Sequence, residues 1–297
     1  MNRWEETFQS WSAPASKTEQ EKSSNAEAGI SNAVRADQRL AGKNVTVSAQ
    51  GSYAANTNVR LDSDVDVCVL CRDTFFFDLA EGKTRENCGI IPATFTFADY
   101  KNMLHTALVG RFGHGGVTRG EKAFDVHSNT YRVDADAVPT FEYRYYIDLN
   151  SSRYIEGVAF LCDDTGRRIH NYPKQSLENG RAKNEQTGRR FKRVVRILKA
   201  LRNQMQEDGI AAAKDVASFL IECLVYRVPD SYFGRDKIAD DVKDTLYFLL
   251  GNLAADQTCS TWTEVNEVKF LFHSAQPWTR EKTSIFVWAA IQYTGLK

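Results

Sequence analysis

Two aspartates one residue apart, Asp64 and Asp66, stand in the run Asp62-Ser63-Asp64-Val65-Asp66-Val67, which continues into the apolar Val69 and Leu70. Strand side chains alternate between faces, so both carboxylates project to the same side. Two anions held side by side repel unless a shared proton or a divalent metal lies between them. Upstream, Gln50-Gly51-Ser52-Tyr53 offers a glycine–serine turn whose backbone N–H groups and hydroxyl suit phosphate oxygens. Carboxylates, metal and phosphate together point to phosphoryl or nucleotidyl transfer. An Asp-x-Asp pair alone also describes a solvated strand edge, so the reading needs a further acid. The run Val133-Asp134-Ala135-Asp136-Ala137-Val138-Pro139 supplies one on another strand, ended by a proline that cannot donate in a ladder. Asp134 and Asp136 share a face by the same alternation, which does not choose between them.

The elements that must position these groups follow from apolar spacing. Residues 16–40, rich in Ala, Glu, Lys and Gln, read as one long helix carrying Ile30, Val34 and Leu40 toward a core. Residues 44–48 alternate as a strand and deliver the chain to Gly51-Ser52, after which 54–63 read as a loop. A helix over 97–112 is stopped by glycines at 113, 115 and 116. Strands follow over 122–127 and 131–147, then a hairpin over 157–171 turning at Asp164-Thr165-Gly166. Residues 174–187, polar and rich in Asn and Gly, read as a mobile loop at the rim of the site.

Beyond that loop the pattern turns helical. Phe191, Val194, Val195, Leu198, Leu201 and Met205 form an apolar stripe, with Arg189, Arg190, Lys192, Arg193, Arg196, Lys199 and Arg202 on the other faces. These cations are either a solvated surface or, for one or two of them, a triphosphate contact. Further helices are predicted over 218–227, 236–255 and 280–293, and Thr261-x-x-Glu264 has the pattern of a capping box for a short one. The fold class is therefore α+β, a mixed-sheet lobe over 1–175 and a helical lobe over 176–297. Small molecules bind most often in clefts between such lobes.

Composition narrows the function classes. A formal net charge of zero over 297 residues argues against bulk electrostatic capture of nucleic acid. No apolar run approaches a membrane-spanning length, and the first residues lack the shape of a signal peptide, so a cytosolic protein that does not engage membranes is expected. The six cysteines do not make a disulfide framework. Cys68 and Cys71 form a C-x-x-C inside a predicted strand, but no second pair with zinc spacing follows. The five histidines are scattered and read as core or surface residues.

With Gly51-Ser52, Asp64-x-Asp66 and a strand acid just before Val138-Pro139, the chain resembles the polymerase-beta-like nucleotidyltransferases. It is most similar to the CD-NTases of bacterial anti-phage CBASS systems, relatives of cyclic GMP-AMP synthase and oligoadenylate synthase. Gln-Gly-Ser-Tyr-x-x-Asn-Thr-Asn, Asp-Ser-Asp-Val-Asp-Val, Tyr-Arg-Val-Asp-Ala-Asp-x-Val-Pro, Asn-Tyr-Pro-Lys-Gln and Ser-Phe-Leu-Ile-Glu-Cys-Leu fall in family order across most of the chain. The resemblance implies that Asp64, Asp66 and Asp136 bind two Mg²⁺ ions, with Mn²⁺ as a substitute, and that Asp134 is structural. It implies that Gly51 and Ser52 contact phosphate, that Lys199 and Ser218 hold the triphosphate, and that Phe219 lies against a base. Gln50 and Asn171 match base-contacting positions of the pyrimidine-using clade E cyclases, where an asparagine favours uracil. The zinc-bearing insertion of the animal synthase is missing, so no activation by double-stranded DNA is expected.

The implied activity is synthesis of a cyclic dinucleotide from two nucleoside triphosphates, UTP and ATP among them, with at least one uridine in the product. A monomer whose product is read by a separate effector is expected. Two other enzymatic readings are a linear oligonucleotide synthase and a transferase that modifies a small molecule or protein. A non-catalytic nucleotide-binding module is a third class, disfavoured because a trio of buried carboxylates is costly without metals.

Overall fold

In the computed structural model, residues 3–59, 64–147 and 152–296 are described; Asp62 and Ser63 of the acidic run lie outside them. The chain begins with α1 (Arg3–Trp11) and α2 (Lys17–Ala36). Ser16 starts α2 with a reciprocal cap, its hydroxyl accepting from the Glu19 N–H while the Glu19 carboxylate accepts from the Ser16 N–H. The single helix expected over 16–40 is broken at Asp37, whose extended backbone ends α2 and whose carboxylate caps α3 (Gln38–Ala41). Next come β1 (Val45–Ala49), the short α4 (Gly51–Ala55) and β2 (Val65–Leu79). Helix α5 (Phe97–Phe112) is capped by Thr96 and stopped by Gly113. Five strands follow: β3 (Val117–Arg119), β4 (Phe124–Val126), β5 (Ala135–Tyr146), β6 (Tyr154–Leu161) and β7 (Arg168–Asn171). The remainder is helical: α6 (Pro173–Gln186), α7 (Phe191–Glu207), α8 (Ser218–Arg227), α9 (Ile238–Leu253), α10 (Asp256–Cys259) and α11 (Arg280–Thr294). No helix among the described residues is long and apolar enough to cross a membrane.

One compact unit comprises Ser16–Tyr53 and Asp64–Pro173 and contains the sheet. Its strands run in the order β1-β2-β5-β4-β3, with β6 also on β5 and β7 on β6. The β2–β5 pair is parallel and the others are antiparallel, which makes the sheet mixed. Along one edge β5 pairs first with β4, at Ala135–Ala137, and then with β6, from Phe141 onward. Pro139, with no N–H to donate, falls in the gap where the partner changes. Alternate residues of the strands, among them Val65, Val67, Val69, Phe124, Val126, Ala135 and Ala137, pack under α2 and α5 with Ile30, Val34, Tyr100, Leu104 and Leu108. Each fully buried aliphatic side chain of this kind contributes roughly 1.5–3 kcal/mol. The C-x-x-C pair separates across the sheet for the same reason. Cys71 joins that core, whereas Cys68 faces the other way, with Leu70 and Val158 and with its Sγ 3.2 Å from Thr140 Oγ1.

The second unit comprises Met1–Ala15, Ala54–Ser63 and Lys174–Lys297. The division at residue 175 assigned the first two segments to the sheet lobe, but they fold with the helices. Trp4, Phe8 and Trp11 cluster on α1, and Phe8 is fully buried in the core that includes Val194, Leu198 and Leu201 of α7. Arg196 of α7 ties both segments down, donating to the Ser12 and Asn56 carbonyls at 2.6 Å each.

Two expectations are corrected here. Residues 174–187, read as a loop, lie largely in α6, which starts on Pro173, where the missing N–H is harmless. Gly180 is its buried residue, and a Cβ there would make only ordinary contacts, 3.8 Å from both Phe191 and Val265. The polar composition that suggested a loop belongs to a helix with a narrow buried side. The capping box at Thr261 and Glu264 starts no helix. Thr263 instead bridges Phe270, and buried Glu264 accepts from Asn266 Nδ2 and Gln276 Nε2 at 2.5 and 2.6 Å.

Candidate active site

Parallel pairing of β2 with β5 sets Asp66 directly beside Asp136. The residues flanking each, Val65 and Val67, Ala135 and Ala137, are buried in the helix-covered core, so both carboxylates lie on the opposite face. Asp64 precedes β2 by one residue and is exposed. Burial, reinforced by the charges of Asp136 and Asp64, pushes the Asp66 carboxyl up to about 6. Burial and the charges of Asp64 and Asp125 raise Asp136 as well. Asp64 is raised by partial burial and by Asp134 and Asp125. Asp134 differs in kind: it stands just before β5 and its carboxylate accepts the Ser128 N–H at 2.6 Å, which anchors the preceding loop.

The glycine–serine turn abuts this face. Gln50 donates its N–H to the Asp66 carbonyl at 2.8 Å. Gly51 adopts φ +66°, and a Cβ added there would sit 2.2 Å from Asp66 Oδ2. Glycine suits the position, because the left-handed backbone disfavours a side chain and the close carboxylate leaves no room for one. Ser52 follows, half-buried in the first turn of α4.

Asp125 is the acid that sequence reasoning missed. It pairs with Asp136 across β4 and β5, extending the row from Asp66 through Asp136 to a third strand. Its neighbours Phe124 and Val126 are buried on the other face, so strand alternation over 122–127 carried the signal. His127 approaches it, Nε2 lying 3.6 Å from the carboxylate, while the ring is held by Gly115 O and Thr118 Oγ1, each at 3.0 Å. Among the described residues no three His, Cys, Asp or Glu side chains form a ready-made ion cage. What the face presents is several hard carboxylate oxygens whose mutual repulsion a cation would relieve, a donor set suited to a hard divalent ion.

The other candidates are distributed as follows. Asn171 is exposed at the end of β7. Ser218 and Phe219 open α8, the serine hydroxyl accepting from Arg202 at 2.9 Å and Phe219 being 38% exposed. Lys199 is buried in the helical unit, 2% exposed. Its ammonium donates to Glu222 Oε2 and the Thr57 carbonyl, both at 3.1 Å, and to Thr57 Oγ1 at 3.2 Å. Thr57 completes the triangle by donating to Glu222 at 2.6 Å. The charge expected at the triphosphate is thus directed at partners inside the protein.

A row of aspartates on a mixed sheet, a glycine–serine turn against it and a helical second unit define a nucleotidyltransferase. Residues 178–295 match the family described as the cGAS/DncV-like nucleotidyltransferase C-terminal helical domain. The chain is 44% identical to the cyclic dipyrimidine nucleotide synthase CdnE of Legionella pneumophila, over 98% of this chain and 97% of that protein. Among solved structures, the Rhodothermus marinus CdnE c-UMP-AMP synthase with Apcpp and Upnpp superposes with a TM-score of 0.87 at 31% identity, covering 98% of this chain and 96% of that one. The Elizabethkingia meningoseptica CdnE cyclic dinucleotide synthase with GTP and Apcpp gives 0.82 at 33% identity, covering 98% of each. The chain therefore belongs to the CD-NTase family of cGAS/DncV-like nucleotidyltransferases, as the resemblance of its motifs implied.

Proposed function

We propose that this enzyme joins two nucleoside triphosphates into a cyclic dinucleotide, releasing pyrophosphate at each bond, and that at least one of the bases is uracil. UTP and ATP are the substrates this reading favours, and a separate effector in an anti-phage pathway would sense the product. The protein would act as a cytosolic monomer. The observation that carries the proposal is the Asp66–Asp136 register, two adjacent carboxylates raised by burial and by neighbouring acids on one face.

Asp64, Asp66 and Asp136 are the residues that would hold the two Mg²⁺ ions, or Mn²⁺ in their place. Bound there, such ions lower the pKa of a ribose hydroxyl and neutralise charge on the phosphates. A carboxylate oxygen of Asp136, already inclined to hold a proton, would accept the one lost by that hydroxyl. Gly51 and Ser52 would present N–H groups and a hydroxyl to phosphate oxygens. Ser218 and Phe219 would meet the triphosphate and a base from the helical unit, with Gln50 and Asn171 reading base edges on the sheet unit. Lys199 would support the triphosphate side indirectly, by fixing Thr57 through the buried pair with Glu222.

The names of the relatives support the pyrimidine reading. One is a dipyrimidine nucleotide synthase and another makes c-UMP-AMP, whereas the Elizabethkingia structure holds GTP beside Apcpp. Base choice therefore varies within the family. The test is a reaction with all four nucleoside triphosphates and Mg²⁺, analysed by mass spectrometry after phosphatase treatment. A phosphatase-resistant dinucleotide containing uridine, absent with Asp64→Ala/Asp66→Ala, is the expected result. A phosphatase-sensitive product would point to a linear oligonucleotide, label on protein to a protein-modifying transferase, and undiminished product from the double variant would end the mechanism.

A further inference from the structure

Asn171 stands in sequence between two members of one aromatic group, and this clamp closes over Gly157. The glycine lies between Tyr143 of β5, its register partner, and Tyr172, the residue after β7. The rings of Tyr143 and Tyr172 meet there with centroids 6.1 Å apart, and both residues are buried. On the other side of Asn171, His170 stacks on Tyr143 with centroids 4.6 Å apart and planes 18° from parallel. Tyr143 is itself anchored, its hydroxyl donating to Asp78 Oδ2 at 2.6 Å, and Arg168 pairs with the same carboxylate. Asn171 itself is exposed.

Gly157 has no room for a side chain. A Cβ would stand 2.7 Å from the Asn171 carbonyl oxygen and 3.0 Å from the Tyr172 ring. Relief would require the Asn171 peptide itself to shift, because the nearest obstruction is backbone.

We propose that Gly157 is a specificity-determining positioning residue, which fixes the Asn171 amide through the Tyr143–His170–Tyr172 clamp and so sets which base the enzyme accepts. The inference rests on the proposed contact between Asn171 and a base. A peptide displaced by a few tenths of an ångström misaligns an amide pair on a base edge while leaving the acidic row on β2 and β5 in place. Base selection, rather than bond formation, should therefore respond.

The experiment compares wild type, Asn171→Ala, Gly157→Ala and His170→Ala in competition reactions with all four nucleoside triphosphates. Product composition is read by mass spectrometry, with total pyrophosphate release measured in parallel. Each variant should reduce the uridine share of the product by about five- to tenfold, the scale of one lost base-edge hydrogen bond, with a smaller change in total release. Adding Tyr172→Leu to Gly157→Ala should not restore the share, since the carbonyl obstruction remains. His170→Ala adds no atom, so it keeps the test open if Gly157→Ala fails to fold. If Asn171→Ala leaves base composition unchanged, the base contact falls and this inference with it. If Asn171→Ala changes composition but His170→Ala and any folded Gly157→Ala do not, or only lower total release, the positioning role alone is overturned.

Discussion

The aspartate row of the sheet unit and the Lys199–Glu222 pair of the helical unit both gather charged side chains close together, and they handle the charge in opposite ways. Lys199 and Glu222 neutralise each other, and Thr57 fills remaining hydrogen-bonding capacity. Asp64, Asp66, Asp125 and Asp136 have like charges as neighbours, and burial raises Asp66 to about 6. A charge matched within the fold serves architecture, because removing one partner strands the other. Like charges held together destabilise the fold, and an enzyme tolerates this where a ligand supplies the missing counter-charge.

The largest effect expected from this contrast has opposite signs on activity and stability. Asp66→Asn should lower Mg²⁺-dependent pyrophosphate release by about a thousandfold or more, a loss of several kcal/mol of transition-state stabilisation. The same variant should stabilise the metal-free protein at neutral pH. Folded Asp66 titrates near 6 against an ordinary value of 3.8, so between these values it binds more protons folded than unfolded. Its contribution to stability therefore falls as pH rises through that window, by about 2–3 kcal/mol in all. Urea denaturation in EDTA from pH 4 to 7.5 should show wild type losing stability relative to Asp66→Asn; parallel curves would break the contrast on the sheet side.

Lys199→Met should act in the reverse order. Stranding the Glu222 carboxylate should cost about 3–5 kcal/mol in urea denaturation, and Lys199→Met/Glu222→Leu should recover most of it. If Lys199→Met keeps its stability but raises the KM for triphosphate several-fold, the lysine serves the ligand directly and the contrast fails on the helical side.

Gly51→Ala tests how tightly the turn fits the acid face. Its positive φ and the nearby Asp66 oxygen should together cost about 1–3 kcal/mol in strain, read as lowered melting temperature and reduced turnover. Asp125→Asn should have the smallest effect. It should raise the Mg²⁺ concentration for half-maximal activity a few-fold, about 1 kcal/mol, with turnover at saturating Mg²⁺ nearly unchanged. An unchanged Mg²⁺ requirement would remove Asp125 from the row.

The acid face was legible because strand alternation and a one-residue spacing are local signals, and the β2–β5 register then joined Asp66 to Asp136. Asp125 obeyed the same alternation but had no second acid beside it to draw notice. Helix α6 was hidden by its own composition, a polar stretch whose buried side is as narrow as Gly180 and so leaves no apolar stripe to read. The fate of Lys199 could not be read locally. Glu222 lies 23 positions away and Thr57 142, so a stripe of cations on α7 gave no indication of which would be buried.

The most direct test of the central claim is the carboxylate titration of Asp66, followed by ¹³C NMR of aspartate-labelled protein and assigned through Asp66→Asn. In EDTA its midpoint should lie near 6, and saturating Mg²⁺ should pull it below the ordinary aspartate range. A midpoint near 4 in EDTA, unmoved by Mg²⁺, would show an ordinary surface acid and contradict the account.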